Sequence, residues 1–237
     1  MGSCGNKMVK KPIILFFGGS SGVVKAMIKY FNIKYKVISF YNKNKPPKIK
    51  DVEYKKLDLQ NEKKIISTIK KIGLENSKII LINFASIKID KISMFVNKID
   101  IEKTFKINTF SFLKIIQLIL PKMMKNKWGR IINISSTGGL DGDKGTLLYS
   151  SSKNASHSMI KIMSKEYGAF NITFNTLALG NFNYGLFKKL DKKLRKKILN
   201  KIPSKKTGDV KNIYNAIQFL VDSDYVNGSL IKIDGGF

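Results

Sequence analysis

Cysteine is almost absent from this chain, because Cys4 is the only one among 237 residues. A disulfide within the chain is therefore impossible, and such cysteine usage is typical of a reducing compartment. His157 is the only histidine, so we expect no metal site of the His/Cys type. No apolar run reaches the length of a membrane span, and no apolar segment of the kind found in signal peptides precedes Lys7. We expect a cytoplasmic protein without a membrane span.

Acidic residues and arginine are also scarce. Sixteen Asp and Glu stand against 44 Lys and Arg, which gives a formal net charge of +28, and only Arg130 and Arg195 are arginines. The excess indicates either a nucleic-acid or acidic partner, or lysine enrichment by codon usage in an AT-rich genome. The lysines are spread along the chain, whereas nucleic-acid surfaces usually include arginine forks and interleaved aromatics. We favour the compositional interpretation and expect no specific nucleic acid, although the charge favours acidic partners at low salt.

Short apolar runs alternate with amphipathic segments, with neither internal repeats nor a Gly/Ser linker. This alternation predicts right-handed crossovers and a single α/β domain with a doubly wound parallel sheet of about seven strands. We expect the first ten residues to be flexible. Strands are predicted at 12–17, 35–40, 52–57, 78–83, 130–135, 172–177 and 230–233. Helices are predicted at 22–31, 65–72, 101–124, 149–167, 186–198 and 210–220.

A glycine-rich turn, from Gly18 to Gly22, connects the first predicted strand to the first predicted helix. Strand, glycine turn and helix form the context of a dinucleotide site, because glycines let the backbone approach a pyrophosphate. A purely structural turn is the alternative reading of this motif alone. After the second strand, Asn42 and Lys43 stand where NAD sites usually place an acidic residue, so the sequence favours NADP(H) over NAD(H).

Tyr149 and Lys153 are four residues apart, a spacing that places both on one face of a helix. An unperturbed tyrosine has a pKa near 10, too high for efficient acid–base work at neutral pH. A neighbouring ammonium favours the phenolate, so we expect Lys153 to lower the pKa of Tyr149. In a lysine-rich chain this spacing also arises by chance. Whether it marks a catalytic pair therefore depends on the motifs around it.

That context resembles the short-chain dehydrogenase/reductase family across essentially the whole chain, and in particular its 3-oxoacyl-[acyl-carrier-protein] reductases. The resemblance rests on several weak motifs in the family's order and spacing. After the glycine turn these are Leu57-Asp58-Leu59, Asn83-Phe84-Ala85-Ser86, Asn108, Gly129 to Ser136, Tyr149 with Lys153, Leu179-Gly180, and Ile233-Asp234-Gly235-Gly236.

The resemblance implies a Rossmann fold and a role for each matching residue. Tyr149 would protonate the substrate oxygen, Ser136 would orient it, and Lys153 would bind the nicotinamide ribose. Asn108 would hold a water that links Lys153 to solvent. The expected cofactor-binding residues are Gly18, Ser20, Ser21, Gly22, Val23, Asn42, Lys43, Asp58, Leu59, Asn83, Ala85, Tyr149, Lys153, Gly180 and Phe182.

Some residues depart from the family pattern. Phe17 replaces the threonine that opens the turn, and Val24 replaces its last glycine, where a side chain could crowd the strand–helix contact or shift the cofactor. Phe84 and Ser86 alter the usual NNAG motif, and Leu179 replaces a proline. None of these is one of the four proposed catalytic residues, so the departures concern cofactor affinity more than reaction type.

The implied reaction is the interconversion of a carbonyl and an alcohol by hydride transfer. NADPH-dependent reduction of a 3-oxoacyl thioester is the leading hypothesis, with acyl carrier protein as a partner. The alternatives are a sugar or polysaccharide-biosynthesis dehydrogenase and a non-catalytic NADP-binding regulatory or nucleic-acid-binding protein. The resemblance also implies a substrate-binding lid at 181–204 and a homodimer or homotetramer.

Overall fold

Seven short strands, rich in apolar residues, form the centre of the molecule. A computed structural model describes residues 11–237, except for the side chains at positions 186 and 189; the segment 1–10, predicted to be flexible, lies outside the described residues. The strands are β1 (Ile13–Phe17), β2 (Lys36–Tyr41), β3 (Val52–Lys56), β4 (Ile79–Asn83), β5 (Gly129–Ser136), β6 (Ile172–Leu179) and β7 (Leu230–Ile233).

All seven strands are parallel, in the order β3-β2-β1-β4-β5-β6-β7. The central strands β1, β4 and β6 are buried along their whole length, as expected of a parallel sheet covered on both faces. The edge strand β3 is half-exposed and carries charged residues, which discourage pairing with another sheet. The strand order reverses between β1 and β4, and such a switch point opens a crevice at the carboxyl ends of the strands.

Helices cover both faces of the sheet. The α-helices within residues 11–237 are α1 (Gly22–Met27), α2 (Glu62–Lys70), α3 (Lys98–Phe105), α4 (Ser111–Lys125), α5 (Thr137–Asp141), α6 (Leu147–Tyr167), α7 (Gly185–Lys189), α8 (Lys192–Lys201) and α9 (Val210–Asp222). Helices α2, α4 and α6 pack on one face through residues such as Ile65, Ile116 and Ile160. Helices α1 and α9 pack on the other through Val24 and Ile217. The predicted single-domain, doubly wound α/β fold is confirmed. Within residues 11–237, no helix has the length and apolar content needed to cross a membrane.

Three predicted helices differ from the structure. The first ends at Met27 and continues as a 3-10 turn, Ile28–Tyr30, instead of reaching residue 31. The long helix at 101–124 starts earlier and contains a π-helical turn, Lys106–Phe110, between α3 and α4. The amphipathic helix predicted at 186–198 is two helices, because Leu190 is extended and Asp191 caps a new helix by accepting a hydrogen bond from the backbone N–H of Leu194. The four-residue apolar period ran across this break and concealed it.

Arg130 joins three elements at the amino-terminal edge of the sheet. Its Nε donates to the carbonyl of Val221 at 3.0 Å, and its Nη1 donates to the carbonyls of Gly129 at 2.8 Å and Asn171 at 3.0 Å. The guanidinium also lies over the Trp128 ring, 4.5 Å from its centroid. The side chain is buried, although Asn171 itself is exposed.

We predict that Arg130→Lys lowers the free energy of unfolding by about 1–3 kcal/mol, because one ammonium cannot hold all three carbonyls as the planar guanidinium does. Urea unfolding followed by circular dichroism measures the loss. Lys125→Arg, at an exposed position on α4, serves as the control and should leave stability within about 0.5 kcal/mol of the parent. Equal stability of the Arg130→Lys variant and the parent would contradict the assignment.

Candidate active site

The glycine turn after β1 is shaped for close backbone approach. Gly18 has a φ of +88°, and a Cβ there would lie 2.8 Å from the backbone of both Phe84 and Ala85, so both conformation and space require glycine. Ser21 caps α1, its Oγ accepting a hydrogen bond from the backbone N–H of Val24 at 3.1 Å. Val24 does not project into the crevice: its side chain is fully buried in the core between α1 and the sheet.

A cavity of about 290 Å³ lies beside this turn, at the carboxyl ends of β1 to β4. Seven of the predicted cofactor-binding residues line it: Gly18, Ser20, Ser21, Asn42, Asp58, Leu59 and Ala85. The remaining lining residues were not predicted, and most are apolar or aromatic: Phe17, Phe40, Tyr41, Leu57, Phe84, Ser86, Ile87 and Ile107. Their positions at strand ends were the available signal. The cavity therefore combines a glycine-bounded mouth with flat apolar walls, of which the stacked rings of Phe17 and Phe40, 4.4 Å apart, are one.

Asp58 is the only charged side chain that lines this cavity. Its Oδ1 accepts a hydrogen bond from the backbone N–H of Gln60 at 3.0 Å and lies 3.5 Å from Asn42 Nδ2. Lys43 is exposed and stands next to the cavity in sequence, not among its lining residues. The carboxylate of Asp58 thus faces the side-chain amide of Asn42, which follows the end of β2. Asn42 and Lys43 are the residues from which the sequence analysis favoured NADP(H).

The other predicted cofactor residues do not line this cavity. Asn83 is buried and fixes the backbone of Ala85, whose N–H donates to Asn83 Oδ1 at 3.2 Å. Phe182 is also buried, and its ring packs against Gly208, where a Cβ would lie 2.4 Å from the ring. Val23 lies in the first turn of α1. Gly22 and Gly180 pack closely on other backbone segments, at Gly185 and Asp234 respectively.

Ser136, Tyr149 and Lys153 come together beyond the carboxyl end of β5. Ser136 is the last residue of β5, not the first residue after it, and the unpredicted helix α5 begins at the next position. Lys153 Nζ lies 5.8 Å from the Tyr149 ring centroid and donates a hydrogen bond to the carbonyl of Ile134 at 2.8 Å. Helix α5 packs against the tyrosine, since a Cβ at Gly139 would lie 3.0 Å from its ring.

The predicted lowering of the tyrosine pKa is wrong in this structure. Burial raises the pKa of Tyr149 above its ordinary value, and the carboxylate of Asp90 raises it further, while the Ser136 side chain opposes the rise. The ammonium of Lys153 does not offset the burial, because it is directed toward the carbonyl of Ile134. The phenol is therefore protonated at neutral pH, the form that a proton donor requires.

Burial acts on Lys153 in the opposite direction, because the charged form of lysine is the one that desolvation disfavours. The side chain is 3% exposed, and burial lowers its pKa from 10.5 to about 8. At pH 7 the group is still mostly an ammonium.

Asn108 lies in the π-helical turn and is held entirely by protein groups. Its Nδ2 donates to Ser152 Oγ at 2.9 Å and to the carbonyl of Ile87 at 2.9 Å, while its Oδ1 accepts from the N–H of Ile87 at 2.8 Å. Its backbone carbonyl accepts a hydrogen bond from Ser156 Oγ at 2.9 Å. Thr109 Oγ1 adds a bond to the carbonyl of Ser152 at 3.2 Å. These buried hydroxyls, which the sequence analysis missed, fasten the π turn to α6 on either side of Lys153.

His157 Nδ1 lies 3.2 Å from Thr176 Oγ1, and burial lowers the pKa of the ring. It therefore has a helix-packing position one turn beyond Lys153. Among residues 11–237 there is no cluster of three or more His, Cys, Asp or Glu side chains arranged to hold a metal ion.

The family model described as short chain dehydrogenase matches residues 12–195. Among curated proteins, the chain is 33% identical over 183 residues to the 3-oxoacyl-[acyl-carrier-protein] reductase FabG of Buchnera aphidicola subsp. Schizaphis graminum, covering 76% of this chain and 75% of that protein. It is 31% identical over 159 residues to the reductase of the same name from Aquifex aeolicus, covering 66% of this chain and 64% of the relative, just under two thirds of the latter.

Two solved structures share the fold. One is described as a putative gluconate dehydrogenase from Agrobacterium tumefaciens, with a TM-score of 0.86, 22% identity and coverage of 96% of both chains. The other is described as ElxO with NADP bound, with a TM-score of 0.82, 24% identity and coverage of 95% of this chain and 98% of that one.

The buried ammonium predicts a specific pH dependence of stability. Between pH 8 and 10.5 the unfolded chain keeps the Lys153 proton while the folded chain has lost it, so this residue makes the free energy of unfolding rise with pH across that window. We predict that Lys153→Met removes this rise. The stability of the variant relative to the parent should therefore fall by on the order of 2–3 kcal/mol from pH 8 to 10.5.

Chemical denaturation at a series of pH values measures this difference. Lys161→Met, at an exposed position on the same helix, serves as the control for the loss of one positive charge. If the two variants follow the same pH profile, Lys153 does not have the depressed pKa that its burial implies.

Proposed function

Because this chain belongs to the short chain dehydrogenase family and is an oxidoreductase of that family, we propose that it reduces the carbonyl of a 3-oxoacyl thioester to the alcohol with NADPH. The observation that carries the proposal is the convergence of Ser136, Tyr149 and Lys153 at the carboxyl edge of the sheet, next to a cavity bounded by a glycine turn. A carbonyl reductase needs a proton donor, an orienting hydroxyl and a place for a dinucleotide, and this arrangement supplies residues for each.

The chain's own part in the reaction is to orient the substrate and to provide a proton. The Ser136 hydroxyl donates a hydrogen bond to the substrate oxygen, and the Tyr149 phenol gives that oxygen its proton. The raised pKa of Tyr149 keeps the phenol protonated at neutral pH, which suits reduction more than oxidation. Lys153 would stabilise the phenolate that forms once its ammonium, 5.8 Å from the ring centroid, turns from the carbonyl of Ile134 toward the phenol.

The residues present fit a dinucleotide cofactor. The close approach at Gly18 leaves no room for a side chain and brings the turn against the backbone at Phe84 and Ala85. Beside the turn, the flat apolar walls suit an adenine ring, and Asp58 can accept hydrogen bonds from one. Lys153 would meet the ribose next to the nicotinamide. When bound, such a cofactor supplies the hydride.

We assign the cofactor as NADP(H). No acidic residue follows Tyr41 at the end of β2, and Asn42 with the exposed Lys43 can meet a 2′-phosphate where a carboxylate would repel it. Asp58 is the one carboxylate among the residues that line the cavity, and the side-chain amide of Asn42 faces it at 3.5 Å.

The assignment of the substrate draws on the names of the relatives and on surface charge. Several curated relatives at about 30% identity are named as 3-oxoacyl-[acyl-carrier-protein] reductases. Acyl carrier protein is acidic, and the exposed Lys127 stands where the reductases that the chain resembles often carry a basic residue that contacts the carrier. At a second such position this chain has Phe170, which supplies no charge. A net charge of +28 suits the same partner.

We further assign residues 181–204, with helices α7 and α8, as a lid over the substrate. The exposed apolar side chains of Phe110, at the end of the π turn before α4, and Ile162, on α6, support a homodimer or homotetramer formed through these helices. The single cysteine supports a cytoplasmic location.

The reaction is tested by following NADPH oxidation with a 3-oxoacyl thioester and with a keto-sugar nucleotide. We predict turnover of the thioester alone, and a loss of at least about 1,000-fold in kcat for Tyr149→Phe, since the proton donor is removed. NADPH binding, measured by fluorescence, should stay within about threefold of the parent because the ring remains.

Tyr167→Phe is the matched control, because it removes a phenol from the other end of the same helix. It should keep full activity. Near-normal turnover by Tyr149→Phe would refute its role, and turnover of the sugar nucleotide alone would replace the substrate assignment. If no carbonyl compound is turned over while the protein binds RNA in a salt-sensitive manner, a regulatory function would be favoured.

Cofactor preference is tested at Lys43. We predict that Lys43→Gln raises the KM for NADPH by about three- to tenfold and leaves the KM for NADH unchanged, because the lost charge would meet only the 2′-phosphate. Lys48→Gln, exposed in the same loop, should change neither value. Parallel changes in both KM values would show that Lys43 does not read the phosphate.

A further inference from the structure

Only two of the 44 lysine and arginine residues in the chain are arginines, Arg130 and Arg195. Both guanidinium groups hold backbone carbonyls. Arg130 does so in the sheet, as described above, and Arg195 does so within the lid: its Nη2 donates to the carbonyl of Lys188 at 2.7 Å, and its Nε donates to the carbonyl of Leu190 at 2.8 Å. The planar fork of arginine can hold two carbonyls at once, which a lysine ammonium on a flexible stem does with far less directional control.

The carbonyls held by Arg195 lie where α7 ends. The last carbonyls of a helix have no partner within it, and a cation placed there is favourable. Arg195 itself lies on α8, beyond the break at Leu190 and Asp191. Its two hydrogen bonds therefore span the break and fix α8 to the end of α7.

Helix α8 has little else to hold it in place. None of its residues is fully buried, and its apolar side is covered only in part, at the half-buried Ile198 and Leu199. Behind it, Ile202 is fully buried, and the N–H of Ser204 donates to the carbonyl of Gly235 at 3.1 Å. The front of the helix depends on Arg195 and on the cap formed by Asp191. Segments with so few buried contacts open most readily.

The other end of α7 lies against the glycine turn. A Cβ on Gly22 would be 3.2 Å from the backbone nitrogen of Gly185 and 3.7 Å from Cβ of Tyr184. Helix α7 thus extends from the proposed cofactor turn to the carbonyls that Arg195 holds. A fixed joint between α7 and α8 lets the two helices take their position from that turn as one body.

We propose that Arg195 is a positioning residue for the reaction: its guanidinium joins α7 to α8 and so sets the position of the lid over the carbonyl substrate. The proposal rests on the proposed function, in which 181–204 covers the substrate. Arg195 makes no contact with the reacting atoms, and its effect is on substrate binding rather than on proton transfer.

Arg195→Lys tests this joint because it keeps the charge and removes the fork. We expect backbone amides in 185–201 to exchange hydrogen about five- to tenfold faster in the variant without ligand, since the front attachment of α8 is weakened. The KM for the 3-oxoacyl thioester should rise by about the same factor, while kcat and the Kd for NADPH stay within about twofold.

Lys196→Gln is the matched control, since it removes one charge from the neighbouring exposed position of α8. It should exchange and react like the parent. Parent-like amide exchange in Arg195→Lys overturns the proposal, as does an equal effect of both variants, which would show that α8 loosens on any substitution of its exposed side chains. The exchange measurement needs no substrate, so it remains decisive if the parent enzyme reduces a different carbonyl and the proposed substrate fails.

Discussion

The hydrogen bond from the buried Lys153 ammonium to the carbonyl of Ile134 is the interaction around which the candidate site is built. It ties α6, which carries Tyr149, to β5, which ends in Ser136, so one contact fixes the relative position of all three side chains. Its cost is that an ammonium is buried, and among the described residues no carboxylate forms a salt bridge with it. The depressed pKa of Lys153 is the expression of that cost. Stability is thereby given up at neutral pH to keep a cation beside the tyrosine.

The hydroxyls around Asn108 make this arrangement rigid. Asn108 lies in the π-helical turn, and carbonyls of both elements accept side-chain hydrogen bonds there: that of Asn108 from Ser156 Oγ, and that of Ser152 from Thr109 Oγ1. Ser152, Ser156 and Thr109 take part in three hydrogen bonds between the π turn and α6. Since these bonds lie on both sides of Lys153 in sequence, α6 cannot shift along the π turn without breaking buried bonds. The four predicted catalytic positions therefore belong to one hydrogen-bonded unit.

Local rules were sufficient to predict the fold from the sequence. Short apolar runs alternating with amphipathic segments specify a parallel sheet, and the predicted strand ends were right to within one residue, except at the end of β6, which extends two residues further. The glycine turn was also predictable. Glycine is required at Gly18 because the turn lies against the backbone of Phe84 and Ala85, which leaves no room for a side chain. The features that the sequence did not predict depend on contacts between residues distant in sequence or on the capping residue of one helix. The break at Asp191 is set by one side-chain hydrogen bond, and α5 is a five-residue helix without an apolar period.

The pKa of Tyr149 shows why chemistry is harder to read from spacing than structure is. A spacing of four positions along a helix between a tyrosine and a lysine does predict proximity, and the two side chains are near each other. Proximity alone does not decide the sign of the shift, because burial acts on both groups and favours the neutral form of each. In this structure desolvation exceeds the attraction between phenolate and ammonium, since the ammonium is engaged by the sheet. A ligand that drew the ammonium away from Ile134 and toward the phenol would reverse that balance, so the acidity of Tyr149 depends on what occupies the neighbouring cavity.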